Sequence, residues 1–276
     1  MIDELNDRER IILDRLSAEG QVSVSAMARE LGLSEVTIRG DFRCLEEKGW
    51  INRRRGGAAP GMHRDILERQ RERQAEKNTI ARMAAELVRD GDVIMIEAGT
   101  TTALVARYLQ GKRDVHVVTN STLVFSYARM NPGLQITMTG GEWRRPTESL
   151  VGPIALGTIA RLNVRLAFVG TDGFTLERGI TTHLVEGGEI VKAMKAHAET
   201  TVLLADSGKY GRVGFISVLP LSDLDLVLTD GGLEEEAAAE LAGAGILVNR
   251  PAEKQNCGTR SCHGTHIDHA PAGKHG

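Results

Sequence analysis

The feature that most limits the possible folds is a regular alternation of short apolar runs with helical patterns between residues 78 and 250. The apolar runs cover residues 93–96, 115–118, 134–138, 166–169, 201–205 and 224–228, and each is followed, at once or within three residues, by Gly, Thr, Ser, Asn or Asp. Strands that alternate with helices in this way form a mostly parallel sheet covered by helices. We therefore predict an α/β domain over residues 78–250.

The ends of these strands are the predicted ligand site, because ligands of parallel sheets bind beyond the carboxyl ends of the strands. The loop 99–102 leads directly into a helix, whose first amides and positive dipole end suit an anion. A lysine adds positive charge, and carboxylates suit sugar hydroxyls, although any single cluster of this kind also fits an ordinary cap or turn. The candidate ligand-binding residues are Gly99, Thr100, Thr101, Thr102, Thr119, Asn120, Gly140, Gly141, Asp172, Glu186 and Lys209.

A short helix is predicted over residues 34–49, with Ser34 as its N-cap and Gly49 just past its end. Ile38, Phe42 and Leu45 recur at helical spacing and predict a buried face. The opposite face carries Val36, Arg39, Gly40 and Arg43, with Thr37 on one flank. Guanidiniums, a hydroxyl and a small apolar group together suit the major groove of DNA.

The segment before and after this helix completes a predicted winged helix-turn-helix. A first helix near residues 3–18 turns Leu5, Ile12 and Leu16 inward, and a second helix starts after the cap Ser23. Residues 50–58 are typical of a strand that turns at two glycines and carries three arginines. The candidate DNA-binding residues are Ser34, Val36, Thr37, Arg39, Arg43, Arg53, Arg54 and Arg55. A protein-interaction module remains the alternative for such a unit.

Composition favours a soluble cytoplasmic protein. The formal net charge is −3, so any basic surface must be local. No apolar run reaches the roughly 20 residues that span a bilayer, and the N-terminus is charged. The three cysteines are too scattered for a disulfide framework. We expect neither a cofactor nor a structural metal.

Four segments are predicted along the chain. Residues 1–60 form the DNA-binding domain, residues 61–77 a charged linker, and residues 78–250 the ligand-sensing domain. Alternating charges over 64–77 are typical of a solvated or domain-bridging helix. The remaining 251–276 is a Gly-rich tail with Cys257, Cys262 and several histidines, for which disorder with adventitious metal affinity is the prediction.

The order of short motifs carries a family resemblance. The motifs include Val22-Ser23-Val24, Ala28-Arg29-Glu30-Leu31, Leu33-Ser34-Glu35-Val36-Thr37-Ile38-Arg39, Arg55-Gly56-Gly57-Ala58, Gly99-Thr100-Thr101-Thr102, Gly170-Thr171-Asp172-Gly173 and Asp206-Ser207-Gly208-Lys209-Tyr210-Gly211. Together they resemble the DeoR-type family of bacterial transcriptional regulators over about nine-tenths of the chain. The chain departs from the family pattern at Gly40, usually basic, and at Phe42, usually Leu. Smaller departures are Gly208, usually Ser, and Tyr210, usually Phe.

The resemblance implies a sensor fold related to sugar-phosphate isomerases and CoA transferases. It also implies a phosphate loop at 99–102, a lysine loop at 207–211, and a phosphorylated sugar that alters operator binding. We therefore predict a homo-oligomeric repressor of carbohydrate-metabolism genes that binds double-stranded operator DNA. The alternatives are a sugar-phosphate isomerase, in which Asp172, Glu186, Glu189 and Lys209 supply catalytic groups, and a sugar-binding module whose N-terminus docks on a protein. His183 is a further possible ligand contact.

Overall fold

The computed structural model describes residues 5–19, 21–47, 50–60 and 64–251 of the 276-residue chain. Within those ranges, no helix combines the length and the apolar character needed to cross a membrane. The predicted helix end at Gly49, and the Cys- and His-rich part of the tail, lie outside the described residues.

The N-terminal domain is a three-helix unit with a small antiparallel sheet. Its elements are α1 (Asp7–Glu19), β1 (Val22–Ser23), α2 (Val24–Leu31), α3 (Glu35–Glu47), β2 (Ile51–Arg54) and β3 (Gly57–Pro60), with the strands in the order β1-β3-β2. Ile38, Phe42 and Leu45 of α3 are at most 1% exposed and pack against Ile12 and Leu16 of α1. The predicted helix-turn-helix and its inward face are therefore confirmed.

Local caps and turns fix the ends of these helices. The Ser23 hydroxyl accepts from the Ala26 amide at 3.0 Å, and the Ser34 hydroxyl accepts from the Thr37 amide at 3.1 Å. The wing turns at Arg55 and Gly56, where Gly56 has a φ of +81°. Gly57, predicted in the turn, instead starts β3, where an added Cβ would lie 2.2 Å from the Val22 carbonyl oxygen. It is a glycine because β1 passes so close to it.

The C-terminal domain is built on a seven-stranded parallel sheet. Its helices are α4 (Arg64–Arg71), α5 (Gln74–Glu86), α6 (Thr102–Tyr108), α7 (Thr122–Ala128), α8 (Pro153–Ile159), α9 (Val185–Ala196) and α10 (Glu235–Gly243). The strands are β4 (Val93–Ile96), β5 (Val115–Thr119), β6 (Leu134–Met138), β7 (Glu142–Arg144), β8 (Ser149–Val151), β9 (Val164–Val169), β10 (Gly173–Thr175), β11 (Gly179–Thr182), β12 (Ala198–Leu204), β13 (Ile216–Leu219), β14 (Leu226–Leu228) and β15 (Val248–Asn249).

The order of the large sheet is β15-β14-β12-β9-β4-β5-β6, and each pair is parallel. Ile94 and Ile96 of β4 pack in the cluster that includes α5, α6 and α7, while Met95 packs with α8 and α9. The sheet is thus buried on both faces, which explains the continuous apolar runs in the sequence. The chain order reverses between β4 and β9, and this is the switch point at which such sheets form a crevice.

Two small antiparallel sheets, β10-β11-β13 and β7-β8, stand beside the large one. Neither was predicted, because their strands are only three or four residues long. The segment predicted as a charged linker contains α4 and the first residues of α5. The boundary between residues 77 and 78 falls inside α5, and Ile66 and Leu67 of α4 are at most 1% exposed. The alternating charges concealed this apolar pair.

Candidate nucleic-acid interface and anion cavity

The outer face of α3 presents the predicted DNA-contacting side chains to solvent. Ser34, Val36, Arg39 and Arg43 are exposed, with Val36 79% exposed, and Thr37 is half-buried. Val36 is the informative case, because an isolated apolar side chain this exposed makes no contribution to its own domain's core. The arrangement suits contact with base edges and thymine methyls.

The position of α3 is fixed by an ion pair on its inner side. Asp41 is 7% exposed and accepts two hydrogen bonds from Arg8 of α1, both at 2.7 Å. A two-point guanidinium–carboxylate contact restricts rotation as well as distance. The sequence analysis missed Arg8 as a positioning residue. The available signal was Asp41, an acidic residue in the middle of the apolar face of α3.

The candidate arginines differ in how they are held. Arg39 pairs with Glu35 at 3.0 Å, and Arg53 pairs with Glu46 of α3 at 2.7 Å. Exposed pairs of this kind are worth at most about 1 kcal/mol, so DNA phosphates compete with them. Arg43, Arg54 and Arg55 have no acidic partner within the described part of the chain. Arg53 therefore fastens the wing to α3, while the other two wing arginines stay available.

A cavity of about 980 Å³ lies at the switch point of the large sheet. It is lined by the segments that follow β4, β9 and β12, and it is covered on one side by α4. Six of the predicted ligand residues line it, namely Gly99, Thr100, Thr101, Thr102, Asp172 and Lys209. His183 also lines it, and its backbone amide donates to Asp172 at 2.9 Å.

The loop 99–102 carries amides that the protein itself leaves unpaired. The backbone N–H groups of these four residues have no acceptor among the described residues. Thr100 and Thr101 are less than 10% exposed and Thr102 is fully buried. Buried amides are nearly always paired, so unpaired ones beside a cavity indicate a place for an acceptor. Because helix α6 has only seven residues, the prediction of an acceptor at this loop rests on the unpaired amides and not on a helix dipole.

Charged side chains dominate the rest of the lining. Five are cationic and four are acidic: Arg69, Arg73, Lys77, Lys209 and Arg212 against Glu72, Glu97, Asp172 and Asp206. Burial raises the pKa of Glu97 to about 8, although the Gly170 amide donates to its carboxylate at 3.1 Å. Glu97 is therefore mostly neutral at pH 7, and the lining carries an excess of about two positive charges.

Two of the lysines and Asp172 show how strongly the site is desolvated. Burial lowers the pKa of Lys77 to about 8, and burial also lowers the pKa of Lys209. Burial by itself would raise the pKa of Asp172, yet this pKa lies below its ordinary value. The charge of Arg69, the His183 amide and the Thr182 hydroxyl together favour its carboxylate. The site therefore contains two internal ion pairs, Arg69 with Asp172 and Arg73 with Asp206, and keeps an excess of positive charge beside them.

Five predicted ligand residues do not line the cavity. The Thr119 hydroxyl donates to the Ile96 carbonyl at 2.6 Å, and the Asn120 side chain bridges the Ala98 amide and the Leu150 carbonyl. Gly140 and Gly141 form a turn with positive φ, and Glu186 pairs with Arg144 at 2.5 Å. The reason is topological. Thr119 ends β5, Asn120 follows it, and the two glycines follow β6, all on the far side of the switch point. Glu186 is the exception, because Leu184 and Gly187 beside it line the cavity while its own side chain pairs with Arg144.

The sequence analysis also missed lining residues. Arg69, Arg73 and Lys77 come from the segment predicted to be a solvated or domain-bridging helix, while Glu97 follows β4 and Asp206 follows β12. The sequence signal available for Arg69, Arg73 and Lys77 was the apolar pair Ile66-Leu67, which lies within this otherwise charged segment. The signal available for Asp206 was its position immediately before the lysine loop at 207–211.

Comparison with known proteins agrees with this division of the chain. Residues 8–60 match the family described as DeoR-like helix-turn-helix domain, and residues 72–231 match the DeoR C terminal sensor domain. The chain is 35% identical over 246 residues to the HTH-type transcriptional regulator GlpR of Haloferax volcanii, covering 88% of this chain and 96% of that protein. It is 32% identical over 249 residues to the HTH-type transcriptional repressor GlcR of Bacillus subtilis, covering 88% and 95%.

Among solved structures, the chain is similar to a D-ribose-5-phosphate isomerase in complex with phospho-erythronic acid. The TM-score is 0.38 and the identity 17%, over 50% of this chain and 54% of that chain. A likeness of this size supports no conclusion about the site.

Proposed function

This chain belongs to the DeoR family of helix-turn-helix transcriptional regulators, and from that premise we propose that it represses genes of carbohydrate metabolism. A phosphorylated sugar in the C-terminal cavity relieves operator binding. The observation that carries the ligand class is the row of unpaired amides at 99–102 beside a lining with excess positive charge. The relative GlcR is itself named a repressor.

The phosphate group is the part of the ligand that the cavity supports best. A phosphate monoester has a charge between −1.5 and −2 near neutral pH, roughly the excess positive charge of the lining. Its oxygens accept hydrogen bonds from backbone amides and from Lys209. The lysine ammonium acts as a compact point charge, so it can meet a phosphate from several directions. An unphosphorylated sugar would leave both the amides and the positive charge uncompensated.

The sugar part fits the acidic side of the same cavity. Asp172 and Asp206 are hydrogen-bond acceptors for hydroxyl groups, and neutral Glu97 is both donor and acceptor. Carboxylates that bind hydroxyls need no catalytic role. The same residue types would also serve an isomerase, which is the rival function, but an isomerase has no use for the exposed face of α3.

Operator recognition rests on α3 in the major groove and the wing on the backbone or the minor groove. Symmetric half-sites require two copies of the chain, so the proposal includes a homo-oligomer. The ligand acts by population shift: it must bind more tightly to the arrangement that fits the operator poorly.

The decisive test is fluorescence anisotropy on DNA from the chain's own upstream region, with and without candidate ligands. We expect sequence-specific retention that is reversed by at least one of ribose 5-phosphate, glucose 6-phosphate, fructose 1-phosphate and glycerol 3-phosphate. The matched unphosphorylated compounds should have no effect. Turnover of a sugar phosphate without DNA binding would establish the isomerase instead. A protein-docking module would show no retention on DNA at any salt concentration.

A further inference from the structure

Helix α4 contacts both domains. On one side, Ile66 is buried in the core of the C-terminal domain, and Arg69 lines the cavity. On the other side, the Arg71 guanidinium pairs with Asp14 of α1 in the N-terminal domain. Two residues along an α-helix correspond to about 200° of rotation, so Arg69 and Arg71 leave opposite sides of the same helix.

The cavity end of this helix is held by charge. Arg69 donates to Asp172 at 3.1 Å, and Lys77 donates to the Arg69 carbonyl. The Arg69 side chain is 34% exposed and that of Asp172 is 18% exposed, so the pair lies partly within the cavity wall. A phosphate is a stronger partner for a guanidinium than a single carboxylate, because it offers more oxygens and more charge.

The junction between α4 and α5 has the features of a hinge. Arg73 has a φ of +50°, a left-handed conformation that is unfavourable for a non-glycine residue. Its guanidinium is held by Asp206 at 2.9 Å, Ser207 at 2.6 Å and Asp230 at 3.3 Å. The strained backbone is therefore fixed to the C-terminal domain at the point where α4 meets α5.

We propose that α4 is the element that transmits ligand binding to the DNA-binding domain. An anion in the cavity takes Arg69 away from Asp172, α4 turns about Arg73, and Arg71 delivers that movement to α1 through Asp14. The inference rests on the proposed function, since it names how the same cavity regulates operator binding. It assigns a transmitting role to Arg71, which does not line the cavity.

The test measures the ratio of operator Kd with ligand to operator Kd without it, using whichever of the four named phosphates releases the wild-type protein. Effector ratios in allosteric proteins are typically about 5- to 150-fold. We expect Arg71→Ala and Asp14→Ala each to reduce the wild-type ratio by about two- to fivefold, the worth of a partly exposed ion pair. Ligand binding, followed by the thermal shift that the sugar phosphate produces, should stay unchanged.

Two controls make the test specific. The charge-swapped double variant Arg71→Asp with Asp14→Arg should recover the ratio that the single variants lose. Arg15→Ala removes an exposed arginine of α1 whose partners Glu19 and Glu30 both lie within the N-terminal domain, and it should leave the ratio unchanged. A wild-type ratio in Arg71→Ala, or an equal loss in Arg15→Ala, overturns the transmitting role of α4. If none of the phosphates releases the wild-type protein, the proposed function itself fails.

Discussion

Replacing Glu97 by Gln tests the buried carboxylate in the wall of the cavity. The pKa of this group is raised by burial to about 8, whereas an unfolded glutamate titrates near 4.3. The folded chain therefore holds a proton that the unfolded chain releases, and the folded state loses stability as pH rises from about 4.3 to 8. A glutamine side chain keeps the shape and can still accept from the Gly170 amide, but it has no proton to lose.

The size of the effect follows from the distance between the two pKa values. Each pH unit in this window costs about 1.4 kcal/mol of stability for one proton, so the step from pH 5.5 to 8.0 costs about 3 kcal/mol. This penalty applies to the wild-type chain alone. The free energy of unfolding of Glu97→Gln minus that of the wild type should therefore rise by about 3 kcal/mol across the step. Every other titrating group is common to both proteins and cancels.

Urea unfolding followed by tryptophan fluorescence at pH 5.5 and 8.0 measures this difference. The chain has two tryptophans, and a Trp50→Phe background leaves Trp143 to report on the C-terminal domain alone. Glu177→Gln, an exposed acid of the same domain, is the matched control and should follow the wild type at both pH values. Parallel pH dependence of the wild type and Glu97→Gln would refute the reasoning, because it would mean that Glu97 is ionised in the folded protein.

Three further substitutions test the DNA face and the ligand cavity. Arg39→Ala should weaken operator binding by about 1–3 kcal/mol at fixed salt if this residue reads a base; undiminished specific binding would exclude it. Gly40→Ala should raise the stability of the N-terminal domain by about 1 kcal/mol in thermal unfolding, since an added Cβ meets nothing within 4 Å; a loss of stability would contradict that. Lys209→Ala should leave operator binding intact and weaken the response to the releasing phosphate by about 1.5–3 kcal/mol, whereas an unshifted dose-response would remove Lys209 from the ligand site.

The N-terminal domain was predictable almost residue by residue because its determinants are local. A cap such as Ser34 bonds to an amide three residues away, and an apolar face such as Ile38, Phe42 and Leu45 shows itself within two turns. Six of the seven strands of the large sheet were predictable for a similar reason, since burial on both faces produces unbroken apolar runs, whereas β15 has only two residues. Local periodicity carries no information on which strand lies beside which.

That missing information explains the result at the ligand site. Thr119 and Gly99 follow strands of the same kind, and nothing nearby in the sequence separates them. Only the strand order β9-β4-β5 decides that the segment after β4 borders the crevice while the one after β5 does not. The contribution of the charged segment was hidden in the same way. Arg69 meets Asp172 103 residues later, and Arg73 meets Ser207 134 residues later.

The internal ion pairs of the cavity also determine what kind of molecule can act as a signal. Arg69 and Arg73 already have carboxylate partners within the chain, so an incoming ligand gains only the difference between its own bonds and those it replaces. A neutral sugar offers hydroxyl groups, which cannot compete with a carboxylate for a guanidinium. It can occupy the cavity without separating Arg69 from Asp172. Under the proposed mechanism, phosphate is therefore required for the change in α4 even if the sugar supplies much of the affinity, and a bound but unphosphorylated sugar should leave operator binding unaltered.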